Sequence, residues 1–312
     1  MKKDSKIYIA GHLGLVGSAV TRALLARGFK NLVLKTREEL ELLDQKAVET
    51  FFKKEKLEYV FLAAARVGGI MANKTYPAKF IYENLLVQAN VLEEARKNNV
   101  KKLLFLGSSC IYPRLAPQPI KESYFLSGPL EPTNRSYAVA KIAGIVTCQS
   151  YNEEYGTSFI SAMPTNMYGP NDNFDPESSH ALPALLRKFH DGKIGNKKEV
   201  VIWGTGSAFR EFLHVDDFAQ ASLFLMEKYD QSEIINVGTG EDISIKTLAE
   251  LIKKITGFSG KISWDKTKPD GMPRKLLDVS KINKLGWRHQ ISLEEGIRST
   301  YEWYEKSLKF KV

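Results

Sequence analysis

Ile7-Tyr8-Ile9-Ala10-Gly11-His12-Leu13-Gly14-Leu15-Val16-Gly17 decides the fold of this chain. The first four residues form a short apolar run of strand length. The next seven are a GxxGxxG turn that leads into a helical pattern over 16–27. In that order the first glycine permits a tight turn, and the second lets a pyrophosphate approach the backbone. The third lets the helix pack closely on the strand, with its N-terminus facing the anion. Strand, turn and helix in sequence point to a dinucleotide site.

Working outward, strand-like runs at 7–10, 32–34, 59–63 and 102–106 alternate with helical periods at 16–27, 46–54 and 80–98. This rhythm predicts an α/β fold with a doubly wound parallel sheet of the Rossmann type. A long helix over 137–155, closed by Gly156, and a strand over 158–163 complete that half. Prolines 164, 170, 176 and 183 then punctuate a loop-rich region. A helix over 182–191, a strand over 200–203 and a helix over 216–227 follow. Next comes a helix capped by Ser244, with Ile245, Leu248, Ile252 and Ile255 at helical spacing, ending at Gly257. The expected organisation is a dinucleotide-binding domain over 1–165, to which the chain returns near 210–240. A smaller α/β domain, mainly for substrate, occupies 166–312.

With 312 residues, 43% apolar and 26% charged, the chain has the composition of an ordinary globular protein. Its longest apolar stretches, such as 60–65 and 103–106, are too short for a bilayer, so no membrane association is expected. The N-terminus lacks the apolar segment of a leader. Two cysteines, Cys110 and Cys148, make neither a disulfide framework nor a metal site, which predicts a cytoplasmic protein without a structural metal. The net charge of +9 comes from scattered lysine pairs rather than a basic stripe, so nucleic acid is not the expected partner. Anionic phosphates suit that charge.

The second strand ends Leu34-Lys35-Thr36-Arg37, where an NAD site usually carries an acid; a basic residue there suits the 2′-phosphate of NADP. Gly107-Ser108-Ser109-Cys110 follows the apolar strand over 102–106, and Tyr137-Ala138-Val139-Ala140-Lys141 opens the next long helix. Tyr137 and Lys141 share a helix face, and the ammonium favours the phenolate, so Tyr137 can exchange a proton with a carbonyl. Ser108 can hold the same oxygen. Cys110 adds a further acid or base if a cation, Lys141 or another, favours its thiolate.

In this order the chain resembles the extended short-chain dehydrogenase/reductase family. Within it, the likeness is to enzymes that epimerise and reduce GDP-4-keto-6-deoxy sugars. The resemblance runs through Gly11-His12, Ala63-Ala64-Ala65-Arg66-Val67-Gly68-Gly69-Ile70, and Gly107-Ser108-Ser109-Cys110-Ile111-Tyr112-Pro113. It continues through Pro164-Thr165-Asn166-Met167-Tyr168-Gly169-Pro170, Ser179-His180, Arg210-Glu211-Phe212-Leu213-His214-Val215-Asp216-Asp217 and Lys268-Pro269-Asp270-Gly271. It implies an NADPH-dependent 3,5-epimerisation and 4-keto reduction of GDP-4-keto-6-deoxy-D-mannose. Ser108, Tyr137 and Lys141 would serve the reduction, and Cys110 and His180 the epimerisation, with base and acid between these two left open.

The resemblance also implies cofactor contacts from Gly11, His12, Leu13, Gly14, Leu15, Val16, Gly17, Arg37, Leu106, Gly107, Ser108, Ser109, Lys141, Pro164, Thr165, Asn166, Met167 and His180. Substrate contacts fall to Lys188, Trp203, Arg210, Asp270 and Lys275. Trp203 suits a guanine or sugar face but equally a core, and Asp270 suits sugar hydroxyls or a Pro-Asp-Gly turn. Relatives pair through two long helices, implying a homodimer built on 80–98 and 137–155. Two departures stand out: Leu13 replaces a common Arg in the phosphate turn, and Lys188 replaces a common Arg. A 4,6-dehydratase would carry Thr-Asp-Glu where this chain has Ser108-Ser109-Cys110. Relatives acting on colitose- or heptose-type GDP-4-keto sugars share the pattern, and a non-catalytic dinucleotide sensor would usually lose Tyr137 or Lys141.

Overall fold

A computed structural model of the chain describes residues 1–176, 178–268 and 270–309; Pro269 of the Lys-Pro-Asp-Gly motif lies outside the described residues. The first half runs β1 (Ile7–Ala10), α1 (Leu15–Ala26), β2 (Leu32–Val33), α2 (Gln45–Glu55), β3 (Tyr59–Leu62), α3 (Ile70–Thr75), α4 (Pro77–Lys97), β4 (Lys102–Leu106), α5 (Arg135–Tyr155) and β5 (Phe159–Pro164). Then follow β6 (Asn166–Tyr168), α6 (Ala181–Ile194), β7 (Glu199–Trp203), β8 (Phe209–His214), α7 (Val215–Lys228) and β9 (Ile235–Val237). The chain ends with β10 (Asp242–Ser244), α8 (Ile245–Thr256), β11 (Lys261–Asp265), β12 (Arg274–Lys275), α9 (Ser280–Lys284) and α10 (Leu293–Lys309).

The main sheet has the order β2-β1-β3-β4-β5-β9, with every pairing parallel. Strands buried on both faces explain the continuous apolar runs in β1, β4 and β5. Phe52, Phe61, Phe105, Phe159 and Phe218 are fully buried, each contributing about 1.5–3 kcal/mol. Strand order reverses between β1 and β3, and the crevice beyond the carboxyl ends of these strands is where such sheets bind ligands.

β8 is the hub of a second sheet, pairing with β10 and β12 and also with β6. β7 and β11 form a separate parallel pair. A second core, including Leu186, Phe189, Leu248, Ile252 and Ile297, packs under these strands. Ser244 caps α8 by accepting from the Thr247 amide at 3.0 Å, and Gly257 ends it in the left-handed region.

Helix α7 packs against α1, tied by an Arg22–Asp216 ion pair at 2.6 Å. One feature departs from the single return expected near 210–240. Leu277, Val279, Ile282 and Trp287 also join the core of the main sheet, so its periphery includes residues after β12.

Candidate active site

Gly11 has φ +83°, and a Cβ there would lie 2.8 Å from the Ala64 amide nitrogen, just past β3. A Cβ on Gly17 would lie 2.1 Å from the Gly11 carbonyl oxygen. Both positions therefore exclude any side chain, and the turn closes directly onto the switch point. Gly14 stands at the N-cap of α1 with no side-chain cap and no acidic residue in the first turn. The amides there are available to an anion, which fits a dinucleotide pyrophosphate. Leu13 is 67% exposed. The Arg37 side chain is also exposed and donates through Nε to the Glu41 carboxylate at 2.7 Å. A 2′-phosphate at Arg37 would meet one guanidinium already shared with an acid.

β4 delivers Ser108 and Cys110, and α5 delivers Tyr137 and Lys141. Ser108 caps a short 3-10 turn over Ser109–Ile111 by accepting from the Cys110 amide at 3.2 Å, which fixes the Cys110 backbone relative to the serine. Lys141 is 4% exposed and its Nζ donates to the Leu106 carbonyl at 2.7 Å, with the Tyr137 ring centroid 5.8 Å away. Burial pushes the Lys141 pKa down to about 8. The phenol of Tyr137 is pushed up by desolvation and by the neighbouring Cys110, while a hydrogen bond with Ser108 acts the other way. Edge-to-face packing on Phe80, with centroids 6.3 Å apart, holds the tyrosine ring.

His180 precedes α6 at the rim of the cleft. Its loop is tied down where the Gly69 amide donates to the Ser178 carbonyl at 2.8 Å. A Cβ on Gly69 would come within 2.6 Å of the Ser179 carbonyl oxygen. A Cβ on Gly68 would meet Phe80, the partner of Tyr137, so the histidine loop and the tyrosine pack around one glycine pair. Crowding in the cleft, and then the Lys275 charge, lower the His180 pKa. Lys275 Nζ lies 3.4 Å from Cys110 Sγ. The cation at the thiol is thus Lys275, not Lys141, whose ammonium is turned to the backbone.

Trp203 is 49% exposed on the open face of β7. It is no core residue: Lys188 and Lys268 place their ammonium groups 5.4 Å and 5.6 Å from its ring. Lys188 also donates to the Val201 carbonyl at 3.2 Å, and burial lowers its pKa. Arg210 donates to the Phe209 carbonyl at 2.7 Å, and burial lowers its pKa too. Both Asp270 oxygens are engaged by Thr205, the amide at 2.7 Å and the hydroxyl at 2.8 Å, so this carboxylate builds a turn.

Sequence reading passed over Glu211. It is fully buried, and its carboxylate accepts from the Thr239 and Gly240 amides at 2.6 and 2.8 Å and from the Leu277 amide at 2.9 Å. Thr165 and Asn166 in turn donate to its carbonyl. The available signal was an acid in the strand-like run Phe209–His214, directly before the apolar pair Phe212-Leu213. Asn84 was missed as well; it brackets Arg66 through both backbone groups and so shapes the loop before α3. Cys148 is fully buried with its pKa pushed up to about 12 by burial.

The crevice, the uncapped helix and the Ser-Tyr-Lys set define a nicotinamide-dependent enzyme on a doubly wound sheet. The chain belongs to the NAD dependent epimerase/dehydratase family, whose sequence model matches residues 7–238. It is 59% identical over 306 residues to GDP-L-fucose synthase 1 of Arabidopsis thaliana, covering 98% of this chain and 95% of that one. The structure is similar to a GDP-6-OMe-4-keto-L-xylo-heptose reductase from C. jejuni, with TM-score 0.95, 45% identity, and 98% and 99% of the two chains covered. It is also similar to a GDP-L-fucose synthetase from Naegleria fowleri bound to NADP, with TM-score 0.92, 29% identity, and 99% and 96% covered.

Proposed function

We propose that this chain binds NADPH in the Gly11–Gly17 crevice and converts GDP-4-keto-6-deoxy-D-mannose to GDP-L-fucose by 3,5-epimerisation followed by 4-keto reduction. The observation that carries the reading is the 3.2 Å link between Ser108 Oγ and the Cys110 amide. A thiol two residues from Ser108, close enough to act on the Tyr137 phenol, suits epimerisation next to a carbonyl site, whereas a simple reductase needs none.

The 4-keto group acidifies the protons at C3 and C5, because the carbanion delocalises into an enolate. Ser108 and Tyr137 hold O4 and stabilise the enolate. Cys110 removes a proton from one face and His180 returns one to the other. Bound NADPH supplies the hydride to C4. Tyr137 gives its proton to the new hydroxyl, and the Lys141 ammonium steadies the tyrosinate that remains. Trp203 offers a flat face to guanine or sugar, while Lys188 and Arg210 meet the diphosphate. Asp270 shapes the turn beside them.

The closeness to a heptose reductase supports a second reading, in which the sugar is a GDP-4-keto heptose. Incubation with each sugar nucleotide and NADPH, followed by product analysis, separates the two. GDP-L-fucose is expected from the deoxymannose substrate, and absence of NADPH oxidation with it overturns the reading.

A homodimer through α4 and α5 is part of the proposal. Tyr82 on α4, and Val139 and Val146 on α5, are exposed apolar groups suited to a helix–helix contact. A reducing compartment such as the cytoplasm suits an enzyme that needs Cys110 as a free thiol.

A further inference from the structure

Lys275 is held from three sides. In the parallel pairing of β12 with β8 it stands opposite Arg210. Two residues on, the Leu277 amide donates to the buried Glu211 carboxylate at 2.9 Å. Between them, the Leu276 amide donates to Gln118 Oε1 at 2.8 Å, and its carbonyl accepts from the Ile120 amide at the same distance. With Leu276 and Leu277 fixed after it, and only 9% of Lys275 exposed, the side chain has little freedom. It lies 3.4 Å from Cys110 Sγ, a hydrogen-bond distance to sulfur. The resemblance assigns Lys275 to substrate contacts, but the structure aims it at the thiol.

We propose that Lys275 is the positioning residue for Cys110, holding it as the thiolate base of epimerisation; this rests on the epimerase reading above. The charged and titratable groups around the thiol agree with that assignment. Tyr137 faces it from α5 as a neutral phenol at working pH. Lys141, on the same helix, donates to the Leu106 carbonyl. Across β8, the Arg210 guanidinium is a second cation, and the Glu211 carboxylate is taken up by backbone amides. His180 feels the Lys275 charge as repulsion, which confines the imidazolium that donates in the step to lower pH.

In the step itself, thiolate Sγ takes the C3 or C5 proton, and the C–H electron pair passes into the enolate with its charge on O4. A proton from imidazolium His180 then enters the opposite face and inverts the centre. One ammonium therefore governs both limbs of the pH profile. At hydrogen-bond distance it stabilises negative charge on the Cys110 sulfur, and by repulsion it makes His180 lose its proton at lower pH.

The test uses the whole protein without substrate first. Iodoacetamide modification of Cys110 is followed by mass spectrometry across pH for the wild type, Lys275→Met and Lys275→Arg; fully buried Cys148 serves as an internal reference. The methionine variant should react about tenfold more slowly at neutral pH, as expected when the thiolate titrates about one pH unit higher, and its profile should move to higher pH. Arginine should restore most of the rate. A methionine profile superimposed on the wild type overturns the proposal, and Lys275→Gln serves the same comparison if the methionine variant does not fold.

Solvent deuterium exchange into the sugar nucleotide gives the second readout: both limbs of its pH profile should move upward together in Lys275→Met. A loss of amplitude without displacement would mean a purely structural role. Should the wild type turn over no GDP-4-keto sugar while the alkylation shift is still seen, the functional reading fails and the Lys275–Cys110 coupling stands.

Discussion

Lys141 Nζ is anchored on the Leu106 carbonyl at 2.7 Å, which sets its ammonium 5.8 Å from the centroid of the Tyr137 ring. The lysine is therefore a fixed charge beside the tyrosine, and the thiol has a cation of its own in Lys275. Burial brings the Lys141 pKa down to about 8, so the charge is present below that pH and is lost as pH rises through it. Reduction should decline above about pH 8, measured as NADPH oxidation at saturating substrate. Lys141→Arg, which stays charged, should push that decline to higher pH, and Lys141→Met should cost at least about a hundredfold in kcat. A flat profile to pH 10 in the wild type would remove Lys141 from the proton step.

On the proposed reading, cofactor choice turns on Leu13, Arg37 and Glu41. Leu13 is exposed at the mouth of the crevice, and Arg37 is shared with Glu41. Leu13→Arg should raise kcat/KM for NADPH about tenfold, the worth of one charge-assisted contact of about 1.5 kcal/mol, with little change for NADH. Glu41→Gln should act in the same direction by releasing Arg37. Equal gains with both cofactors would show that these residues do not meet the 2′-phosphate.

Gly17 offers a sharper steric test. With a Cβ only 2.1 Å from the Gly11 carbonyl oxygen, Gly17→Ala must separate α1 from β1. Loss of NADPH binding by fluorescence titration, with a lowered Tm, is expected. Wild-type affinity in this variant would mean that the turn is not the pyrophosphate cradle.

Trp203 is half-exposed between two lysines, so removing it should spare the fold and weaken the substrate. Trp203→Ala should leave Tm nearly unchanged and raise KM for the sugar nucleotide roughly tenfold, consistent with the loss of one stacked face. A large fall in Tm with unchanged KM would return the residue to a structural role.

Much of this architecture is legible in local sequence. The GxxGxxG turn, the buried strand runs and the YxxxK spacing are short-range patterns, and the elements stand where those patterns lie. The terminal helix α10 was also readable, though passed over: Ser292 and Glu295 form a capping box, the serine amide donating to the glutamate at 3.1 Å and the glutamate amide to the serine hydroxyl at 3.3 Å. Other features depend on contacts distant in sequence. Lys275 meets Cys110 across 165 positions, and Glu211 meets Leu277 across 66. No periodicity encodes such pairs. They arise because β12 aligns beside β8 and the chain after it returns to the first core. Trp203 is a milder case, since an alternating strand face is visible in sequence but the side left uncovered is not.

The division of labour between Ser108-Tyr137-Lys141 and Cys110 is tested most directly by Cys110→Ser in deuterated water. The variant is given GDP-4-keto-6-deoxy-D-mannose and NADPH, and the product is analysed for configuration and for deuterium at C3 and C5. The expected product is reduced at C4 but not epimerised, with deuterium at C3 and C5 sharply lower than in the wild type. Wild-type deuterium content and GDP-L-fucose from Cys110→Ser would contradict the account and take the thiol out of the mechanism.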